Sequence, residues 1–219
     1  MCFRTYKVRS NELRCFCNLF VVSVINTIPY LRHELRSKLL RVATMRDPES
    51  TEEGDTQRLQ VIELLIKQRA DVDYKDGLPL LEAARRGWFS AVIILLAAGA
   101  WRNSSEAVVP AAAARGHKDI VEILFNMCAY IALNKNRALR RAAARGHTAV
   151  VQFIITRGMT IDDTVNAALI LAVRNGHEDT VNVLLEAGAD VCALDNRAFY
   201  VAVKYGHKDI FHSLLFRMR

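Results

Sequence analysis

One pair of residues recurs at a fixed spacing: Gly116-His117, Gly146-His147, Gly176-His177 and Gly206-His207 each stand 30 residues apart. Gly87-Trp88 precedes the series with Trp in place of His, and a second glycine follows twelve positions later at Gly99, Gly158 and Gly188, with Cys128 in that place once. Self-similarity at this period argues for stacked units that touch only their neighbours, not for one globule around a central core.

The residues around each pair say what a unit is. Ahead of Gly146, Leu139, Ala142 and Ala143 fall at i, i+3 and i+4 on one helical face, as do Leu169, Ala172 and Val173 ahead of Gly176. Alanine at these places lets neighbouring helices approach closely. The glycine suits the left-handed conformation that ends a helix, and a second helix follows with the heavier stripe Val150, Val151, Phe153, Ile154 and Ile155 before Gly158 stops it. Each unit reads as a helical hairpin, apolar on both sides and therefore stable only when stacked. The expected fold class is an all-α helical-hairpin solenoid.

At this point the residues resemble the ankyrin repeat family. Its small-residue first helix, Gly-His, Val/Ile-rich second helix and Gly-Ala-Asp stand most fully in residues 172–190. The units depart from that family in being shorter than its usual ~33 residues. They open on Asn136-Arg137-Ala138-Leu139, Asn166-Ala167-Ala168-Leu169 and Asn196-Arg197-Ala198-Phe199, where the family has Thr-Pro-Leu-His. Asn136, Asn166 and Asn196 are expected to cap the first helices in place of the lost threonine. Compact units of this kind are similar to those of large DNA viruses and of intracellular bacteria.

The chain has 219 residues, 52% of them hydrophobic, ample for a long thin core. Residues 1–46 differ in kind. They hold nine Lys and Arg against Glu12 and Glu34, a net +7 that equals the charge of the whole protein. The apolar run 15–28 is too short to span a bilayer, which takes ~20 residues, and is expected to be a buried helix over the first repeat. An amphipathic helix is predicted over 30–45, with Leu31, Leu35, Leu39 and Val42 on its apolar face. The acidic stretch 47–56 reads as an exposed loop or linker. Residues 57–219 form the repeat domain: a partial capping unit at 57–76, where Arg69 stands in the place of a glycine, then five repeats near 77–105, 106–135, 136–165, 166–195 and 196–219. In the last repeat His212, Arg217 and Arg219 suit a cap facing water.

Five cysteines, odd in number and irregular in spacing, point to reduced thiols and a cytoplasmic location, of the producing cell or of a host. Cys15-x-Cys17 has no second pair at zinc-ligand spacing. The repeat histidines should lie a helix-packing distance of ~10 Å apart, too far to share an ion bound at ~2 Å. The resemblance instead implies that each supports the loop between helices. With no phosphate-binding glycine loop and no nucleophile elbow, the sequence implies neither enzyme activity nor a catalytic residue, cofactor or metal.

The candidate site is a row of charge. Next to the repeat glycines stand Arg85 and Arg86, Arg115, Arg145, Arg174, then Lys204 and Tyr205, with Arg140 nearby and Trp101 as a further anchor. The resemblance implies that these positions end the first helices on the concave, partner-binding side. Stacking would align them into a basic stripe for an acidic or phosphorylated protein partner, bound by a monomer. The alternative is nucleic-acid or anionic-membrane binding through residues 1–46, with steep salt dependence.

Overall fold

The computed structural model describes residues 33–45, 52–100, 106–127, 135–158 and 163–218. Among these residues run twelve helices and no strand: α1 (His33–Ala43), α2 (Glu52–Lys67), α3 (Tyr74–Arg85), α4 (Phe89–Ala97), α5 (Val108–Ala113), α6 (Lys118–Met127), α7 (Lys135–Ala143), α8 (Thr148–Thr156), α9 (Asp163–Arg174), α10 (Glu178–Glu186), α11 (Ala193–Tyr205) and α12 (Lys208–Arg217). Consecutive helices pair into six hairpins. The odd-numbered helices pack side by side in chain order as one layer, and the even-numbered helices form the second. The fold is the all-α solenoid that the 30-residue period predicts, with a continuous core from Leu40 to Leu214.

Leu139, Ala142 and Ala143 are buried as their spacing requires, and so are Leu169, Ala172 and Val173. Behind them Val121, Val151 and Val181 fill the seam between the layers without exposure to solvent. Within a unit the two helices are joined by a tight left-handed turn. Across Gly146 (φ 71°), the His147 amide donates to the Ala142 carbonyl at 3.1 Å, satisfying a helix-end carbonyl that would otherwise be orphaned.

The glycine is needed for a second reason. A Cβ at Gly146 would lie 2.6 Å from Nδ1 of His177, the histidine of the next unit. That ring is held because its Nε2–H donates to the Ala144 carbonyl at 3.3 Å. The same bond joins His117 to Arg85 (3.3 Å), His147 to Ala114 (3.1 Å) and His207 to Arg174 (3.3 Å). Each histidine supports more than its own loop: it sits in a seat made by the preceding unit's glycine and helix-end carbonyl. Trp88, buried, takes the histidine's place in the second hairpin.

The amino-terminal expectations change. α1 and α2 form a complete first hairpin, so the repeat stack begins at least at His33 and not at a partial unit over 57–76. Its buried face is Ser37, Leu40, Ala43 and Thr44, while Leu35 is exposed and Leu39 and Val42 are only partly covered. The reason is the packing rule itself: Leu40, Ala43 and Thr44 repeat the spacing of Leu139, Ala142 and Ala143, and a stacked helix selects that small-residue face over a stripe of leucines. Within the acidic stretch, Glu52, Glu53 and Asp55 lie in the first turn of α2, where carboxylates favour the positive end of the helix dipole, and not in a loop. The run at 15–28 lies outside the described residues.

The asparagines do not act as caps. α7 and α9 begin ahead of Asn136 and Asn166, and the Asn166 Oδ1 accepts the Asp190 amide at 2.9 Å, fastening the next connecting finger. Asn196 has φ 58° in a left-handed kink with Leu194 and Asp195 near the start of α11, at the place that Gly77 holds in the kink near the start of α3. A short polar side chain is the best substitute for glycine in that conformation.

The carboxy-terminal cap also differs. Val203 is 65% exposed, although Ala113, Ala143 and Val173 at the same place in three other units are buried. Tyr200 and Phe216 are exposed beside it, and nothing approaches the space above Gly206. His212 and Arg217 are exposed, as expected of a cap facing water, but these apolar residues are exposed with them; Arg219 lies outside the described residues.

Candidate functional site: cations at the ends of the first helices

The row is built by the histidine seats. Because each histidine bonds the carbonyl at the end of the preceding first helix, the carboxy-terminal ends of α3, α5, α7 and α9 are each tied to the unit that follows. Arg85, Arg115, Arg145 and Arg174 stand exposed at these ends and Lys204 and Tyr205 at the end of α11, while Arg86 is half-buried. A cation there complements the negative end of the helix dipole by ~0.3–1 kcal/mol.

The row is not uniform. At its start Glu82, 8% exposed, accepts from Arg85 at 2.8 Å and lies 3.7 Å from Nε of Arg86, so two cations share a nearly buried carboxylate. Farther along, no carboxylate among the described residues lies within ion-pair distance of Arg115, Arg145, Arg174 or Lys204. At the far end, the Arg174 guanidinium and the Lys204 ammonium each lie 5.8 Å from the centroid of the Tyr205 ring. Cations over an aromatic face at this range are attracted by its quadrupole. Tyr205 in turn stacks on His207 with centroids 6.4 Å apart. This corner brings two units together through Arg174, Lys204 and Tyr205. Trp101 lies outside the described residues.

Arg140 is placed differently. It lies within α7, where with Arg137, Arg141, Ala144 and Leu171 it lines a surface cavity of about 280 Å³ between α7 and α9. Arg137 and Arg141 are missed by reasoning from the helix-end positions alone. Their signal in the sequence is the spacing 137, 140, 141, which puts three guanidinium groups on one helical face.

Burial holds the His117 imidazole below its ordinary pKa, against the bond to the Arg85 carbonyl, which favours the charged ring. The seat thus holds a neutral ring at neutral pH.

Residues 109–195 match the family model for ankyrin repeats (3 copies). No curated protein matches the chain. Ankyrin repeats serve generally as scaffolds for protein–protein interaction, and the matched span holds α6, α8 and α10 of the second layer and the seats of His147 and His177 at Gly116 and Gly146. Residues 109–195 are thus similar to ankyrin repeats, and the hairpins on either side continue their stack.

Proposed function

We propose that the chain is a non-catalytic scaffold whose inner helices present a basic surface to an acidic segment of another protein. The observation that carries this reading is the contrast along the row: Arg85 and Arg86 are matched by Glu82, whereas Arg115, Arg145, Arg174 and Lys204 are exposed without an acidic neighbour among the described residues. Helix-end electrostatics accounts for one cation per unit, and an unmatched row leaves those charges open to carboxylates through forked guanidinium contacts. A preformed surface loses little conformational freedom on binding, so a few anchors such as Arg145 and Tyr205 can supply most of the affinity. Exposed, unpaired Cys192 is compatible with a reducing, cytoplasmic setting.

The alternative, nucleic acid or membrane held by residues 1–46, draws little from α1. There Arg36 donates to the Gln68 carbonyl and Lys38 pairs with Glu34.

The test is affinity capture from nuclease-treated lysate, comparing wild type with an Arg115→Glu, Arg145→Glu, Arg174→Glu variant whose helicity is verified by circular dichroism. Loss of a discrete protein with the folded variant supports the row as the contact surface. Unchanged capture assigns the row to helix stability, and steep salt dependence with retained oligonucleotide binding would favour the alternative.

A further inference from the structure

The triad of arginines on α7 carries a more specific inference. Arg137, Arg140 and Arg141 are all exposed and all line the cavity of about 280 Å³ beside Ala144 and Leu171. Nothing in the fold asks for them. In the adjoining units the same three places are Ala107, just ahead of α5, with Pro110 and Ala111 within it, and Ala167, Ile170 and Leu171 in α9. A solenoid in which the flanking units use apolar residues does not need three cations in the unit between them.

The electrostatics are adverse without a ligand. α7 contains no acidic residue, and it begins at Lys135 with Arg137 in its first turn. Arg137 thus faces the positive end of the helix dipole, whereas Arg140 and Arg141 lie in the last turn, where the dipole favours a cation. Like charges three and four residues apart on one helix repel one another. No carboxylate among the described residues lies within ion-pair distance of any of the three. The repulsion of Arg137 from Arg140 and Arg141, and its place in the first turn, are costs in the free protein that a bound anion would relieve.

We propose that Arg137, Arg140 and Arg141 form a binding site for a phosphate monoester, carried on a phosphorylated serine or threonine of the protein segment that the basic row receives. Three exposed arginines lining one cavity can bring their forks to a group with three acceptor oxygens and a charge near −2, whereas a single carboxylate engages only one fork. The cavity lies just under the ~300 Å³ at which small-molecule pockets begin, a size suited to one group of a larger ligand. The apolar walls at Ala144 and Leu171 exclude water on one side and strengthen the pairing. The proposal rests on the reading of the inner helices as a protein-binding surface, and adds to it the chemistry of one position.

The probe is a short peptide, Gly-Ala-phosphoserine-Ala-Gly, with a glutamate counterpart, titrated into the full chain at constant ionic strength and followed by nuclear magnetic resonance. The expected result is saturable binding of the phosphopeptide, at least tenfold tighter than the glutamate peptide, with shifts centred on α7 and the Leu171 region. Binding should weaken below about pH 6 as the phosphate dianion takes up a proton. The R137Q/R140Q/R141Q variant should lose binding while keeping or raising its melting temperature. The corresponding triple lysine variant should bind at an intermediate level, because it keeps charge and loses the forks. Equal affinity for the two peptides, binding that survives the glutamine variant, or no saturation at all would overturn the proposal. So would tighter binding of a thymidine oligonucleotide by the same three arginines. If these peptide results fail while lysate capture still depends on Arg115 and Arg145, the scaffold reading stands and the phosphate site alone falls.

Discussion

In the hairpin of α7 and α8, Leu139, Ala142 and Ala143 are buried, and the join to the next unit runs through Gly146 and the ring of His177. In the hairpin of α1 and α2, Leu40, Ala43 and Thr44 are buried in the same order, but its own bonds run within the hairpin and the finger that follows it. The Ser37 hydroxyl accepts the Asp71 amide at 3.0 Å, Arg36 donates to the Gln68 carbonyl, and Arg58 donates to the Met45 carbonyl at 3.2 Å. What makes a unit is therefore the buried face, and the Gly-His pair is a device for joining one unit to the next. The first hairpin has no predecessor of this type among the described residues, and it keeps the face while dispensing with the pair.

The strongest way to test that distinction is to remove the shared part. Leu40→Ala should destabilise the protein by about 2–5 kcal/mol, the range for a fully buried leucine. Hydrogen exchange should then rise in α1, α2 and α3 while α8 to α10 keep their protection, since stability in a stack is passed between neighbours. A variant with unchanged urea midpoint and unchanged exchange would show that α1 is not part of the stack.

Breaking the joining device should cost less and should depend on place. Gly146→Ala combines a left-handed alanine, about 1–2 kcal/mol, with displacement of His177 and loss of its bond, about another 1 kcal/mol. Gly206→Ala meets nothing within 4 Å, so only the backbone strain remains there. Equal losses for the two glycines in urea unfolding would mean that the seat contributes nothing.

Arg69 sharpens the comparison from the other direction. It holds φ 57° at the place where Gly158 and Gly188 stop their helices. Arg69→Gly should stabilise the first hairpin by roughly 0.5–1 kcal/mol, net of glycine's greater freedom in the unfolded chain. The gain should appear as a higher melting temperature and slower exchange in α2.

The smallest effect is on pH. Burial lowers the His117 pKa, so the unfolded chain takes up its proton first as the solution is acidified. The contribution is complete above the ordinary histidine value of about 6.5 and is lost as the pH falls through the lower folded value. Between pH 7.5 and 5.5 the wild type should lose slightly more stability than His117→Gln in paired urea titrations. A larger loss in the variant would contradict the sign.

Much of this architecture was legible because the joining device is written in residue types. Glycine and histidine at a fixed period mark both the turn and the contact, and Val150, Val151 and Ile154 declare the second helix. The first hairpin was obscured because Leu40, Ala43 and Thr44 are not followed by that pair, and because more apolar neighbours, Leu35 and Leu39, compete for attention on the wrong face. The asparagines misled for a related reason. Asn suits a cap, a left-handed residue and a side-chain bridge equally well, and only the fold separates Asn166 from Asn196. At the site, the helix-end cations followed from the period. Arg137 and Arg141 did not, because they break the pattern, and a search for what repeats passes over what occurs once.

The histidine seats also bear on how such a chain tolerates change in length. A duplication or loss of 30 residues from Gly116 onward returns every ring to a glycine of the same kind, so the stack closes over it. A shift of one residue between Ala142 and Gly146 moves the Ala144 carbonyl and the Gly146 cleft out of reach of His177 together. Insertions and deletions should accordingly be accepted in whole units or in the connecting fingers and refused within the turns. The chain is divided into interchangeable segments whose boundaries are set by imidazole rings.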